Sequence, residues 1–270
     1  MRNGAIELVV TDLDGTLSDP AESIHPRSVA AVRAVVASGI PVLVATGRRP
    51  RTASWVLDPA GLAGPAIVLD GAIGRDLRDG RTFHQVAFTA EAARQVLDVF
   101  AAAGMEPCLF VDHPTAELVI GPSPSTHAGH LARNRAWAVT ADLARVVETD
   151  PVLTFTVVGG DAARLTEIAV AVGQAGSASV TPDLVYGGST LQVRPSGISK
   201  WSGVVAFCRE HGLDPGRVLA VGDGANDVEL LEAARVACAV AGGHASALAL
   251  ADHLIDPPSA GGWAALLDLI

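Results

Sequence analysis

Residues 6–17 read IELVVTDLDGTL. An apolar run, Ile6–Val10, is followed by two carboxylates, Asp12 and Asp14, with Gly15 directly behind them. Runs of the same kind recur at Pro41–Ala45, Ala66–Leu69, Val218–Val221 and Val236–Val240. They lack polar–apolar alternation, the pattern of strands covered on both faces of a parallel sheet. Between the first two, Pro26–Ser38 opens on a proline and stops at Gly39, which predicts a helix, and Ser199–His211 stops at Gly212 in the same way. This βαβ rhythm at both ends of the chain predicts an α/β fold, a doubly wound, mostly parallel sheet assembled from the two termini. Asp12 and Asp14 then leave the carboxyl end of the first strand, where open α/β sheets hold their ligands, and Gly15 allows a tight turn.

The middle of the chain has a different texture. Asp79-Gly80 marks a hairpin, Ala90–Ala103 reads as a helix, and strands are expected at Glu106–Val111, Glu117–Ile120 and Pro151–Val158. Ala162–Gln174 reads as a further helix, Ser189–Val193 is β-prone, and Gly121–His130 is turn-rich and expected to be a surface loop. The expected division is a core from residues 1–82 and 188–270, with an α+β domain inserted at 83–187.

Composition narrows the function classes. With 49% hydrophobic residues in 270, the chain can bury a real core. A net charge of −10 argues against a general nucleic-acid binder, which needs a basic face. Small anionic substrates stay open, because a bound cation reverses the local field. Cys108, Cys208 and Cys238 lack metal-ligand spacing and read as reduced thiols. Nothing near Met1 resembles a signal peptide and no apolar run approaches the roughly 18 residues of a membrane span. The expectation is a soluble cytoplasmic protein without nucleic-acid or membrane partners; oligomeric state is not legible.

Three more stations match the first. Thr46-Gly47-Arg48 ends the second strand. Lys200 follows Ser199 in the first turn of a helix, where a cation opposes the helix dipole and a nearby anion reverses the penalty. Gly222-Asp223-Gly224-Ala225-Asn226-Asp227 again sits at a strand end. If the two acidic strand ends are neighbours, four carboxylates converge, which is unfavourable by several kcal/mol without a cation. A hard divalent ion with oxygen ligands, most economically Mg²⁺, resolves this and keeps waters for a phosphate.

The ordered set DLDGTL, TGR, Lys200 and GDGAND resembles the haloacid dehalogenase-like hydrolase superfamily. VLAVGDGANDVELLEAARVACAV and LQVRPSGISK resemble its Cof-type members, which carry a large α+β cap. The resemblance implies a phosphatase of small phosphorylated metabolites, sugar phosphates first. Asp12 would be the nucleophile that forms an aspartyl-phosphate, and Asp14 the acid and then the base. Thr46 and Lys200 would hold the phosphoryl oxygens, with backbone N–H groups near Leu13 and Gly47 assisting. Asn226 would orient Lys200 or a phosphate oxygen. Mg²⁺ would be bound by Asp12, the Asp14 carbonyl and Asp223, with Asp227 close by or acting through water.

Three positions depart from that pattern: Asp70 where relatives commonly carry Asn, Trp201 after Lys200 in place of glycine, and Leu231 where Met is frequent. Asp70 adds charge at the phosphate entrance and is not assigned to binding, while Trp201 could alter how its helix packs. Arg48 and Arg49 read as structural ion-pair partners, and His113, His127 and His130 as exposed loop residues rather than a metal site. Trp137 reads equally as core or as substrate-facing. Two rivals share the sequence features. One is a phosphotransferase or mutase, in which a hydroxyl intercepts the aspartyl-phosphate. The other is a non-catalytic metabolite sensor, which has no need for Asp12 and Asp14 together.

Overall fold

The structure, a computed structural model, describes residues 5–113, 116–183 and 185–270; the reading near Met1 lies outside them. The first half of the core unit runs β1 (Leu8–Thr11), α1 (Pro26–Ala37), β2 (Val42–Ala45), α2 (Pro50–Leu57), β3 (Pro65–Val68), β4 (Ile73–Asp76) and β5 (Thr82–Gln85). A second unit follows with α3 (Ala90–Ala102), β6 (Cys108–Val111), β7 (Leu118–Ile120), α4 (Ala128–Asn134), β8 (Ala138–Thr140), α5 (Leu143–Thr149), β9 (Val152–Gly160), α6 (Ala162–Val172), β10 (Ser177–Pro182) and β11 (Ser189–Arg194). The chain returns to the core through α7 (Lys200–His211), β12 (Val218–Gly222), α8 (Val228–Ala233), β13 (Val236–Val240), α9 (Ala245–Leu248) and β14 (His253–Ile255).

The core sheet has the order β14-β13-β12-β1-β2-β3-β4-β5. It is parallel from β14 to β3, and β4 and β5 add an antiparallel edge through the expected hairpin at Gly80. Every residue of β1 is buried, as its unbroken apolar run requires. Leu8, Val10, Leu43, Ala45 and Ile67 pack with Val204, Phe207 and Leu230 from the helices on one side of the sheet. The N-cap residue His25 and Pro26 open α1, and Gly212 closes α7 in the left-handed conformation, as the sequence suggests.

The second unit is a six-stranded sheet, β10-β11-β9-β6-β7-β8. Helices α3, α5 and α6 bury Phe100, Val146 and Leu165 against Leu109, Phe155, Val157 and Val193 of the strands. It spans Val86–Ile198, so the expected boundaries at 82/83 and 187/188 are corrected. β5 stays with the core because it pairs with β4, and β11 belongs to the inserted unit because it pairs with both β9 and β10. The alternating burial of β11 marks a strand covered on one face, unlike the core strands. The tail of the expected loop Gly121–His130 is also corrected. His127 accepts from the Gly129 N–H and starts α4 at Ala128, a cap that imidazole rarely supplies. Among the described residues, no helix is long and apolar enough to cross a membrane, and all three cysteines are buried.

Candidate active site

Parallel pairing of β1 with both β12 and β2 sets Thr11 level with Val221 and Val44. The Asp12 N–H continues the ladder to the Val221 carbonyl at 2.9 Å. The two acidic strand ends are therefore neighbours, which is the condition for their carboxylates to converge. Lys200 is the first residue of α7, whose N-cap Ser199 accepts from the Ser202 N–H. The helix lies close on β3 because residue 203 is glycine: a Cβ there would stand 2.7 Å from Ile67 Cγ2. That approach carries Lys200 to the strand ends, while Trp201 packs partly buried against the core.

Lys200 Nζ lies 2.5 Å from Asp12 Oδ1 and 2.6 Å from Asp227 Oδ1, with all three side chains shut away from water. Asp227 Oδ2 accepts the backbone N–H groups of Asp223 and Gly224 at 3.0 and 2.9 Å, so this carboxylate also shapes its own loop. The Thr16 hydroxyl donates to Asp223 Oδ1 at 2.8 Å. Gly15 has φ +83°, and a Cβ on it would meet Asp223 Oδ2 at 2.5 Å. Only glycine lets the first loop pass this close to the second.

Electrostatics here are short of positive charge. Burial, opposed by Lys200 and reinforced by Asp227, Asp223 and Asp14, holds the Asp12 carboxyl well above the usual carboxylate range. Asp223 is also raised, first by burial and then by Asp227, against the Thr16 hydrogen bond. Burial pulls the Lys200 ammonium down, yet the charges of Asp12, Asp227 and Asp70 outweigh it and raise it above its ordinary value. An ion pair by itself lowers its carboxyl; burial first, and then the excess of carboxylates over the one ammonium, reverses that for Asp12. Lys200 is thus cationic, and one more cation would relieve the rest. Oxygens of Asp12, Asp223 and Asp227 lie within 4.8 Å of one another, a hard donor set that fits Mg²⁺.

Asp14 is turned to a different task. Its carboxylate is gripped by Arg48, with Nε at 2.7 Å from Oδ2 and Nη2 at 2.6 Å from Oδ1, and Arg48 also reaches Glu22 at 3.0 Å. Burial alone would lower the guanidinium; its bonds to Asp14 and Glu22 raise it. Arg48 is an ion-pair partner, as read from sequence, but its partner is a site residue, which sequence reading did not find. Thr46 is buried and its hydroxyl oxygen accepts the Arg48 N–H at 3.1 Å, leaving its own proton to donate. Leu13 points its side chain into the core and can serve only through its backbone. Asn226 Nδ2 donates to Asp70 Oδ1 at 2.9 Å, and Gly47 backs onto that same Asp70. Thr16 joins Arg48 as a contact that sequence reading missed; Asp70 stands out in the sequence, but its bond from Asn226 does not. The adjacency of Thr16 to DLDG and of Arg48 to TG is the only signal that could have pointed to them. His127 and His130 flank the Tyr186 ring. Among the described residues they form no metal-ligating group of three.

The family model for haloacid dehalogenase-like hydrolases matches residues 9–267, and the chain belongs to that family. A phosphoglycolate phosphatase from Methanoculleus marisnigri is 27% identical over 250 residues, covering 92% of this chain and 89% of that protein. Another phosphoglycolate phosphatase, from Methanopyrus kandleri, is 25% identical over 266 residues, covering 96% and 95%. Among solved structures, BT1666, a phosphatase of the same superfamily from Bacteroides thetaiotaomicron, superposes with a TM-score of 0.81 at 22% identity over 99% of this chain and 97% of its own. The subclass IIB sugar phosphatase BT4131 superposes at 0.77 and 19% identity over 97% and 98%. These two likenesses bear out the α/β fold read from the strand pattern, and the family match bears out the resemblance read from the motifs.

Proposed function

We propose that this chain is a Mg²⁺-dependent phosphatase that hydrolyses a small phosphorylated metabolite through an aspartyl-phosphate on Asp12. The observation that carries it is the buried meeting of Asp12, Asp227 and Lys200 beside Asp223. Such a concentration of carboxylates is unfavourable for a structural role and useful for nucleophilic attack on phosphorus. Lys200 holds one Asp12 oxygen and so restrains the carboxylate. Lys200 and the Thr46 hydroxyl, with backbone N–H groups near Leu13 and Gly47, receive the phosphoryl oxygens. Asp14 gives a proton to the leaving alkoxide and then takes one from the water that attacks the aspartyl-phosphate. Arg48 binds both Asp14 oxygens, so Asp14 acts as an acid only once this pair opens and the carboxylate has taken up a proton. Asp12, the Asp14 carbonyl and Asp223, with Asp227 beside them, would hold Mg²⁺, which when bound offsets the charge of nucleophile and substrate.

The inserted unit is assigned the role of a cap that selects the leaving group and excludes water. Sugar phosphates are the first substrate class of this reading, and the relatives' names are reason to assay phosphoglycolate beside them. The test is phosphate release from a panel of sugar phosphates, phosphoglycolate, nucleotides and cofactor phosphates. Release is expected with Mg²⁺, is abolished by EDTA, and is absent from Asp12→Asn. Turnover by Asp12→Asn equal to the wild type would sink the mechanism.

A further inference from the structure

We infer that Asp70 is a positioning residue, which ties the loops after β2, β3 and β12 together and fixes the orientation of the Asn226 amide; this rests on the phosphatase reading above. The turn Leu69–Gly71 follows β3, and both Leu69 (φ 51°) and Asp70 (φ 49°, ψ 34°) adopt the left-handed conformation. Leucine is rarely found there, and such outliers persist only where the surroundings over-determine them. Here they do. The Leu69 N–H donates to the Arg48 carbonyl at 2.9 Å and the Asp70 N–H to the Thr46 carbonyl at 3.1 Å, which locks the turn onto the loop after β2.

So oriented, the Asp70 carboxylate is only 3% exposed and reaches two further groups. It accepts from Asn226 Nδ2 at 2.9 Å, and a Cβ on Gly47 would stand 3.2 Å from each of its oxygens. A carboxylate can only accept, so Asn226 must present its NH₂ here, and a flipped amide would set oxygen against oxygen. The amide Oδ1 accordingly faces Gly224, where an added Cβ would come within 2.6 Å of it. Asn226 precedes Asp227, whose Oδ1 holds Lys200. Asp70 therefore sets the polarity and place of the turn Ala225–Asp227, and through it the Lys200 anchor, without touching the substrate.

The polarity of this pair can be reversed. Asn226→Asp sets a half-buried carboxylate against the buried one of Asp70, whereas Asp70→Asn combined with Asn226→Asp rebuilds one hydrogen bond running the other way. Thermal midpoints are measured for all four proteins, with kcat and KM for p-nitrophenyl phosphate in Mg²⁺. We expect Asp70→Asn, whose amide oxygen can still accept from Asn226, to lose about threefold at most, and Asn226→Asp about a hundredfold or more in kcat/KM, mainly in kcat. The double variant should regain at least about tenfold over Asn226→Asp. No regain, or a regain in thermal midpoint with kcat unchanged across the set, would overturn the inference. If Asn226→Asp does not fold, Asp70→Ala, which leaves Asn226 no acceptor, decides, and a wild-type kcat would overturn the inference. A wild-type protein that releases no phosphate from any substrate would overturn the phosphatase reading and this inference with it. Wild-type turnover without rescue would overturn the inference alone.

Discussion

Lys200 carries a heavy electrostatic duty, since its ammonium is held between two buried carboxylates. Replacing it by Met keeps the volume but leaves Asp12 and Asp227 uncompensated, and breaking such a pair costs about 3–5 kcal/mol. Lys200→Met should therefore lower the thermal midpoint sharply as well as remove turnover; an unchanged midpoint in a melting experiment would contradict the buried pairing. Arg48 is a contrasting case. Its partner Asp14 is 46% exposed, so Arg48→Ala should cost roughly 1 kcal/mol or less in stability. It should still lower kcat by about tenfold to a hundredfold through a misplaced acid, read by steady-state kinetics beside a melting curve. At this scale Asp12, Asp14, Lys200, Asp223 and Asp227 are legible because strand ends and spacing mark them. The contacts of Arg48, Thr16 and Asp70 are not, because they depend on how the loops fold back, and no periodicity reports that.

Among the elements, α7 is the one whose placement matters most. Ile67 Cγ2 and Cδ1 would lie 2.7 and 2.8 Å from a Cβ at Gly203, so α7 rests on β3 at glycine distance. Gly203→Val should overpack this contact at a cost of about 1–3 kcal/mol and push Lys200 off the strand ends. A fall in both thermal midpoint and kcat is expected, and a variant with wild-type values for both would show that the close approach is unnecessary. The core strands and both capped helices are legible in the sequence, since unbroken apolar runs and Pro/Gly punctuation report them directly. α2 escapes because it is a single short helix, PRTASWVL, whose N-cap residue is an arginine. β10 escapes because SASVTP is polar and half-exposed, and its strand character comes from pairing with β11. That pairing also explains the misplaced boundary at 187/188: β-prone residues do not announce which sheet they join.

The whole molecule stores unfavourable charge at one place, which makes its stability respond to pH and cation together. Asp12 and Asp223 have folded values above the ordinary carboxyl value of 3.8. The folded protein then holds more protons than the unfolded chain, so these groups withdraw stability as pH rises from 3.8 through their folded values. His84 works the other way, because burial lowers it below 6.5 and stability is gained as pH rises through that range. A bound cation acts on the acids alone. The Mg²⁺-induced rise in thermal midpoint should be small near about pH 5 and grow toward about pH 8, with half-saturation falling in parallel. A rise that shrinks as the carboxylates ionise would contradict the assignment of Mg²⁺ to Asp12 and Asp223.

The central claim is that Asp12 becomes phosphorylated during turnover, and it can be measured without knowing the physiological role. The wild type is mixed with Mg²⁺ and a substrate that supports phosphate release, quenched rapidly in acid, and analysed by peptide mass spectrometry. The expected result is one phosphoryl group on the peptide containing Asp12, labile to hydroxylamine and absent from Asp12→Asn. Steady turnover with an unmodified Asp12 peptide at every quench time, or a phosphoryl group on another residue, would contradict the account.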